Sequence, residues 1–128
     1  MAVISAFDVL GPNMIGPSSS HTAGAVAIAL LAQKMIAGQI IEAEFALYGS
    51  FSRTYRGHGT DRALLGGIMG FKTDDRRIRD SFSIAQQRGL RYSFLTNEKD
   101  KDVHPYTVDI RMVNDRYQEM TVRSFTMR

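Results

Sequence analysis

Two short stretches of this chain gather side chains able to hold an anion or move a proton. The first is Gly16-Pro17-Ser18-Ser19-Ser20-His21-Thr22, which lies directly before an alanine-rich apolar run. The first N–H groups of a helix have no partner within it, and the peptide dipoles place partial positive charge at that end. Three serines, a threonine and a histidine there add donors around one space, which suits a carboxylate or a phosphate. A plainer reading competes: one serine caps the helix and the rest is solvated loop. One cap uses only one serine, however, and capping does not account for a histidine within the run.

The second stretch is Gly49-Ser50-Phe51-Ser52-Arg53-Thr54-Tyr55-Arg56-Gly57-His58-Gly59-Thr60-Asp61. Gly57 and Gly59 flank His58, permitting unusual backbone angles and close approach of another molecule. The stretch falls between an expected strand and an expected helix, a common place for functional groups. His58 could equally be an exposed turn residue, or a structural one bonded to Asp61. His104, before Pro105, reads as part of a turn entering a strand, and the methionines are scattered. Neither a phosphate-binding Walker loop, a dinucleotide glycine fingerprint nor a His-Glu-x-x-His zinc motif occurs.

These loops need elements to position them. Ala23 to Ala37 reads as a helix, with Val26, Leu30, Leu31 and Met35 at helical spacing and Gly38 placed to end it. Ile40 to Tyr48 alternates apolar and polar residues, as a half-buried strand does. Gly49 to Gly59 is expected to be a loop, with Thr60 or Asp61 capping a short apolar helix that runs to about Gly70. Asp74 to Arg88 reads as one amphipathic helix stopped by Gly89. Leu90, Tyr92 and Phe94 alternate as a strand. Thr107 to Val113 and Gln118 to Thr126 form two more, turning at Asn114-Asp115-Arg116. The expected class is α+β, with a mixed or mainly antiparallel sheet packed with helices.

The chain's 128 residues suit one domain, and its 44% hydrophobic and 23% charged residues are those of a globular protein with a real core. No apolar run approaches the ~18 residues of a membrane span. Asp8 and Gly11 interrupt the apolar start, so no signal peptide is expected and a cytoplasmic location is the default. The chain has no cysteine, which excludes disulfides, a thiol nucleophile and thiolate ligation of a metal cluster within it. The isoelectric point is 9.4, yet the basic residues are interleaved with acids, as in Lys72 to Arg79. Neither a clustered basic face nor exposed aromatics point to nucleic acid.

In the two loops and around them the sequence resembles the iron–sulfur-dependent L-serine dehydratases (L-serine ammonia-lyases). The matching elements are Phe7-Asp8, Gly11-Pro12 and the run from Ile15 through Gly16-Pro17-Ser18-Ser19-Ser20-His21-Thr22 to Gly24. Leu47-Tyr48-Gly49-Ser50-Phe51, Gly57-His58-Gly59-Thr60-Asp61 and Val103-His104-Pro105 follow. The resemblance covers nearly the whole chain and is strongest up to Gly70. It implies the β subunit or domain of an enzyme that converts L-serine to pyruvate and ammonia. The α part would carry the cysteines of a [4Fe–4S] cluster, one iron acting as a Lewis acid on substrate oxygen. It implies further that Ser18, Ser19, Ser20 and Thr22 help bind the serine carboxylate. His58, and second to it His21, would transfer the proton, with Thr60 and Asp61 ordering the site and no metal ligand in this chain. The expected fold resembles the allosteric substrate-binding domain of some phosphoglycerate dehydrogenases. The chain is expected to be a piece of a longer polypeptide, inactive alone, homodimeric and bound to neither membrane nor nucleic acid. A serine-sensing or small-anion-sensing domain without catalytic function is the alternative.

Overall fold

The alternation in Ile40–Tyr48 produces the central strand of the sheet. Ala43, Phe45 and Leu47 are buried on one face, while Glu42, Glu44 and Ala46 take the other. The computed structural model describes residues 2–5, 20–55, 59–99, 102–103 and 106–125. In chain order the elements are β1 (Ala2–Ser5), α1 (Ser20–Gln33), β2 (Ile40–Tyr48), α2 (Gly49–Thr54) and α3 (Thr60–Ile68). After them come a 3-10 helix (Arg76–Asp80), α4 (Ser81–Arg88), β3 (Arg91–Asn97), β4 (Thr107–Asn114) and β5 (Glu119–Phe125).

Among the described residues five strands lie in the order β1-β5-β4-β2-β3. The β1–β5 and β2–β3 pairs are parallel, and β4 is antiparallel to both β2 and β5. The α+β class and the mixed sheet therefore hold. Because β4 alone runs against the others, β1, β2, β3 and β5 all end at one edge, the carboxyl edge used below. Phe45, Leu47, Val108, Ile110, Met112 and Val122 form the sheet's side of the core, against Val26 and Ile28 of α1 and Leu64 and Leu65 of α3.

Helix α1 has no acid in its first turn, no base in its last, and Ala25 to Ala29 all buried. A helix buried all round shows no amphipathic stripe. Alanine allows a second helix to approach closely, and α1 and α3 form the most extensively packed helix pair. They meet at Gly67, whose missing side chain admits the backbone of Val26.

Several boundaries differ from those expected. Helix α1 begins at Ser20 and not Ala23, and ends at Gln33; Gly38, at φ +76, instead turns the chain into β2. The stretch read as a loop from Gly49 contains α2, because Phe51 is fully buried and Ser52 Oγ donates to the Gly49 carbonyl at 2.6 Å. The single helix expected over Asp74–Arg88 is divided. Asp75 accepts from Arg77 N at 2.9 Å and starts a 3-10 turn, and Ser81 Oγ donates to the Ile78 carbonyl, a local bond that competes with the helical ladder. Gly89 does end α4, in the left-handed conformation at φ +73. Strand β1 was not anticipated. The β4–β5 turn is as expected and is organised by Asn114, whose Oδ1 accepts from Arg116 N and Gln118 N at 3.0 and 2.8 Å.

Candidate functional site

Helices α1 and α3 run side by side in the same direction. Gln33 near the end of α1, Ile68 and Met69 at the end of α3, and Ile40 at the start of β2 line one hollow of about 180 Å³. Both helices therefore end where β2 begins and start toward the carboxyl edge. Gly67 lies against Val26, Ala29 and Leu30. Seven residues back along each helix, ~10 Å at ~1.5 Å per residue, Thr60 comes level with the first turn of α1. The two loops singled out in the sequence thus feed two parallel helices whose positive ends both face the carboxyl edge.

Helix α3 begins without a side-chain cap. Gly59, at φ +77 and ψ 8, is its N-cap, and a residue with a Cβ would be strained in that left-handed conformation. Thr60 is accordingly the first helical residue and Asp61 the second, where one of them was expected to be the cap. Asp61 N donates to the Tyr55 carbonyl at 3.3 Å, Arg62 N to Asp61 Oδ1 at 2.7 Å, and Ala63 N to the Gly59 carbonyl at 3.0 Å. Thr60 is 1% exposed, and its Oγ1 has no hydrogen-bond partner among the described residues. A buried hydroxyl left in this state costs about 1–3 kcal/mol.

Of the other predicted site residues, Ser20 and His21 have their backbone in the first turn of α1, and Thr22 is half-buried there. Asp61 is buried and its carboxylate serves the start of its own helix. Ser18, Ser19, His58 and His104 lie outside the described residues. The structure therefore brings the first turn of α1 level with Thr60 and Asp61.

Tyr55 closes α2 and stacks on Phe94 of β3 with ring centroids 5.7 Å apart. Beside it, Ser52, Arg53, Tyr55 and Thr96 line a polar hollow of about 300 Å³ at the carboxyl edge.

A further group was not anticipated. On the helix-free face of the sheet, Tyr48 OH donates to Asp109 Oδ2 at 2.7 Å. Arg123 reaches the same carboxylate through Nε and Nη2 at 2.8 and 3.0 Å, and Nη2 also donates to Tyr48 OH at 3.2 Å. Burial, and after it the bond to Asp109, raises the phenol's pKa above its ordinary value. Strand alternation would have placed all three on this face, but not together. Toward the other edge, Arg111 bonds Glu42 at 2.7 Å and Glu119 at 3.0 Å, and its guanidinium lowers the Glu42 carboxyl.

An iron–sulfur cluster needs thiolates, and the chain has no cysteine. Among the described residues no three His, Asp or Glu side chains gather as a metal site. The residues present do not fit a cluster, and no chemistry of one is assigned to them. No helix among the described residues is long and apolar enough to cross a membrane.

A family model described as "Serine dehydratase beta chain" matches residues 5–127. The chain is 53% identical over 110 residues to the L-serine dehydratase beta chain of Peptoniphilus asaccharolyticus, covering 86% of this chain and 50% of that protein. It is 43% identical over 112 residues to a probable L-serine dehydratase beta chain of Bacillus subtilis, covering 88% and 50%. An L-serine dehydratase of Haemophilus influenzae is 40% identical over 74 residues, 54% of this chain and 16% of that protein. The chain spans about half the length of the beta chains it matches.

Proposed function

This chain belongs to the serine dehydratase beta chain family, and from that we infer that it is the β part of an L-serine ammonia-lyase, with its site completed by a cysteine-bearing α part. The observation that carries this reading is the buried Thr60 hydroxyl, without a partner among the described residues, at the start of α3, level with the start of α1. Two neighbouring helix starts and a hydroxyl without a partner among the described residues suit the carboxylate of a small amino acid. Thr60, with Ser18, Ser19, Ser20 and Thr22, holds that carboxylate. Asp61 orders the start of α3, and His58 takes the α-proton, with His21 as the second candidate. Loss of that proton and of the β-hydroxyl eliminates water, and hydrolysis of the resulting enamine and its imine yields pyruvate and ammonia. The [4Fe–4S] cluster belongs to the α part.

The test is anaerobic co-production with a cysteine-bearing α partner, followed by pyruvate release from L-serine. Turnover should require both parts and be lost in His58→Ala. Full turnover by the α part alone would end the reading. Normal turnover by His58→Ala would end that residue's assignment. Serine binding by this chain without any turnover in the complete assembly would favour a sensor.

A further inference from the structure

The Tyr48–Asp109–Arg123 cluster stands outside the chemistry assigned above. We propose that it is a positioning device for the substrate site, fixing the end of β2 from which α2 and the start of α3 are hung. The proposal rests on the reading of the α3 start as a binding site for serine.

The cluster joins three strands whose members are far apart in sequence, with Tyr48 61 residues from Asp109 and 75 from Arg123. It is well enclosed: Tyr48 is 7% exposed, and the side chains of Asp109 and Arg123 are 13% and 29% exposed. A bidentate arginine–carboxylate pair is directional as well as strong, so it holds the phenol in one place. Packing alone would need only the ring of Tyr48. The hydroxyl adds orientation.

The end of β2 is also where the sheet hands over to the site. Tyr48 is the N-cap residue of α2, with extended backbone, and Gly49 then turns at φ +52. Ser52 closes back on the Gly49 carbonyl, so α2 is tied to its own first residue. At its far end the Tyr55 carbonyl accepts from Asp61 N, next to Thr60. Backbone and described hydrogen bonds therefore link the end of β2, through α2, to Asp61, the residue after Thr60. A displaced α3 start weakens both the hold on the substrate carboxylate and the alignment of the reacting groups.

The same face supplies a control. The Arg111–Glu42–Glu119 group also straps β2, β4 and β5 together, but lies six residues from Tyr48 toward the opposite edge, ~20 Å along the strand. It leads to no site element.

In the complete αβ enzyme, Tyr48→Phe should lower kcat about three- to thirtyfold, the range for coupling through packed networks. KM for L-serine should rise as well, since the displaced α3 start carries Thr60, which holds the carboxylate. Asp109→Asn should do the same; if it gives no soluble enzyme, Tyr48→Phe decides alone. Glu42→Gln, which removes the corresponding strap, should leave kcat at the wild-type value. A double-mutant cycle of Tyr48→Phe with Thr60→Val should be non-additive, because both act on the α3 start. Unchanged kcat in Tyr48→Phe, an equal kcat loss in Glu42→Gln, or strict additivity would each overturn the proposal. If His58→Ala and Thr60→Val are themselves silent, it is the underlying site reading that fails.

Discussion

Gly67 of α3 faces Ala29 of α1 so closely that a Cβ on the glycine would lie 2.6 Å from the alanine Cβ and 2.6 Å from the Val26 carbonyl oxygen. Backbone cannot give way as a flexible side chain does. Gly67→Ala should therefore destabilise the protein by about 1–3 kcal/mol, the usual cost of overpacking. The measurement is the urea midpoint of the purified protein. An unchanged or higher midpoint would show that the two helices can separate freely.

Thr60 separates stability from function. Replacing it with valine removes an unsatisfied buried hydroxyl while keeping the shape. Without ligand the variant should be as stable as wild type or more so by up to about 1 kcal/mol. In the complete enzyme KM for L-serine should rise about tenfold or more, since a hydrogen bond to a carboxylate is lost. A stability loss with KM unchanged would make Thr60 an ordinary structural residue.

Tyr117 has a positive φ, +61, unusual for a residue other than glycine, and is 80% exposed at the tip of the β4–β5 turn. A bulky side chain in this conformation costs about 1–2 kcal/mol, and asparagine tolerates it better. Tyr117→Asn should raise the melting temperature by a few degrees, a gain of about 0.5–1 kcal/mol. A lower melting temperature would mean that the tyrosine ring makes a compensating contact.

Asp75 gives the acid side of stability a definite sign. Its hydrogen bonds from Arg77 hold the carboxyl at about 2, against an ordinary 3.8. The unfolded chain thus takes up the proton first as pH falls. The contribution is present above about pH 4 and is lost as pH drops through the folded value. Asp75→Asn should flatten the stability profile between pH 4 and 2, modestly because the arginine faces solvent. Superimposable acid profiles for the two proteins would refute it.

What could be read in advance follows the range of the interactions. β2 was legible to the residue, because alternation is local and its two faces meet different environments. α1 is legible through alanine and leucine, but its first three residues are not, because Ser20 and His21 read as loop. α2 was hidden by its hydroxyls and glycine; only the burial of Phe51 beneath Tyr106 reveals why the chain coils there. β1 is four residues long, and its partner is β5, at the other end of the chain. Of the site, hydroxyl-rich runs before helices could be seen in the sequence. The level placement of Thr60 with the start of α1 could not, since it depends on Gly67 meeting Val26. The Asp109–Tyr48 bond likewise spans a separation that no spacing rule covers.

The burial of the middle of α1, Gly24 to Ala29, on every side has a consequence for how the molecule opens. A helix enclosed by sheet and neighbouring helix cannot peel away from solvent inward, so its amides exchange with deuterium only when the core opens as a whole. An anion held at its first turn would then slow exchange throughout the core, strands included, and not at the contact alone. Occupancy of this small site would register as cooperativity of the entire domain.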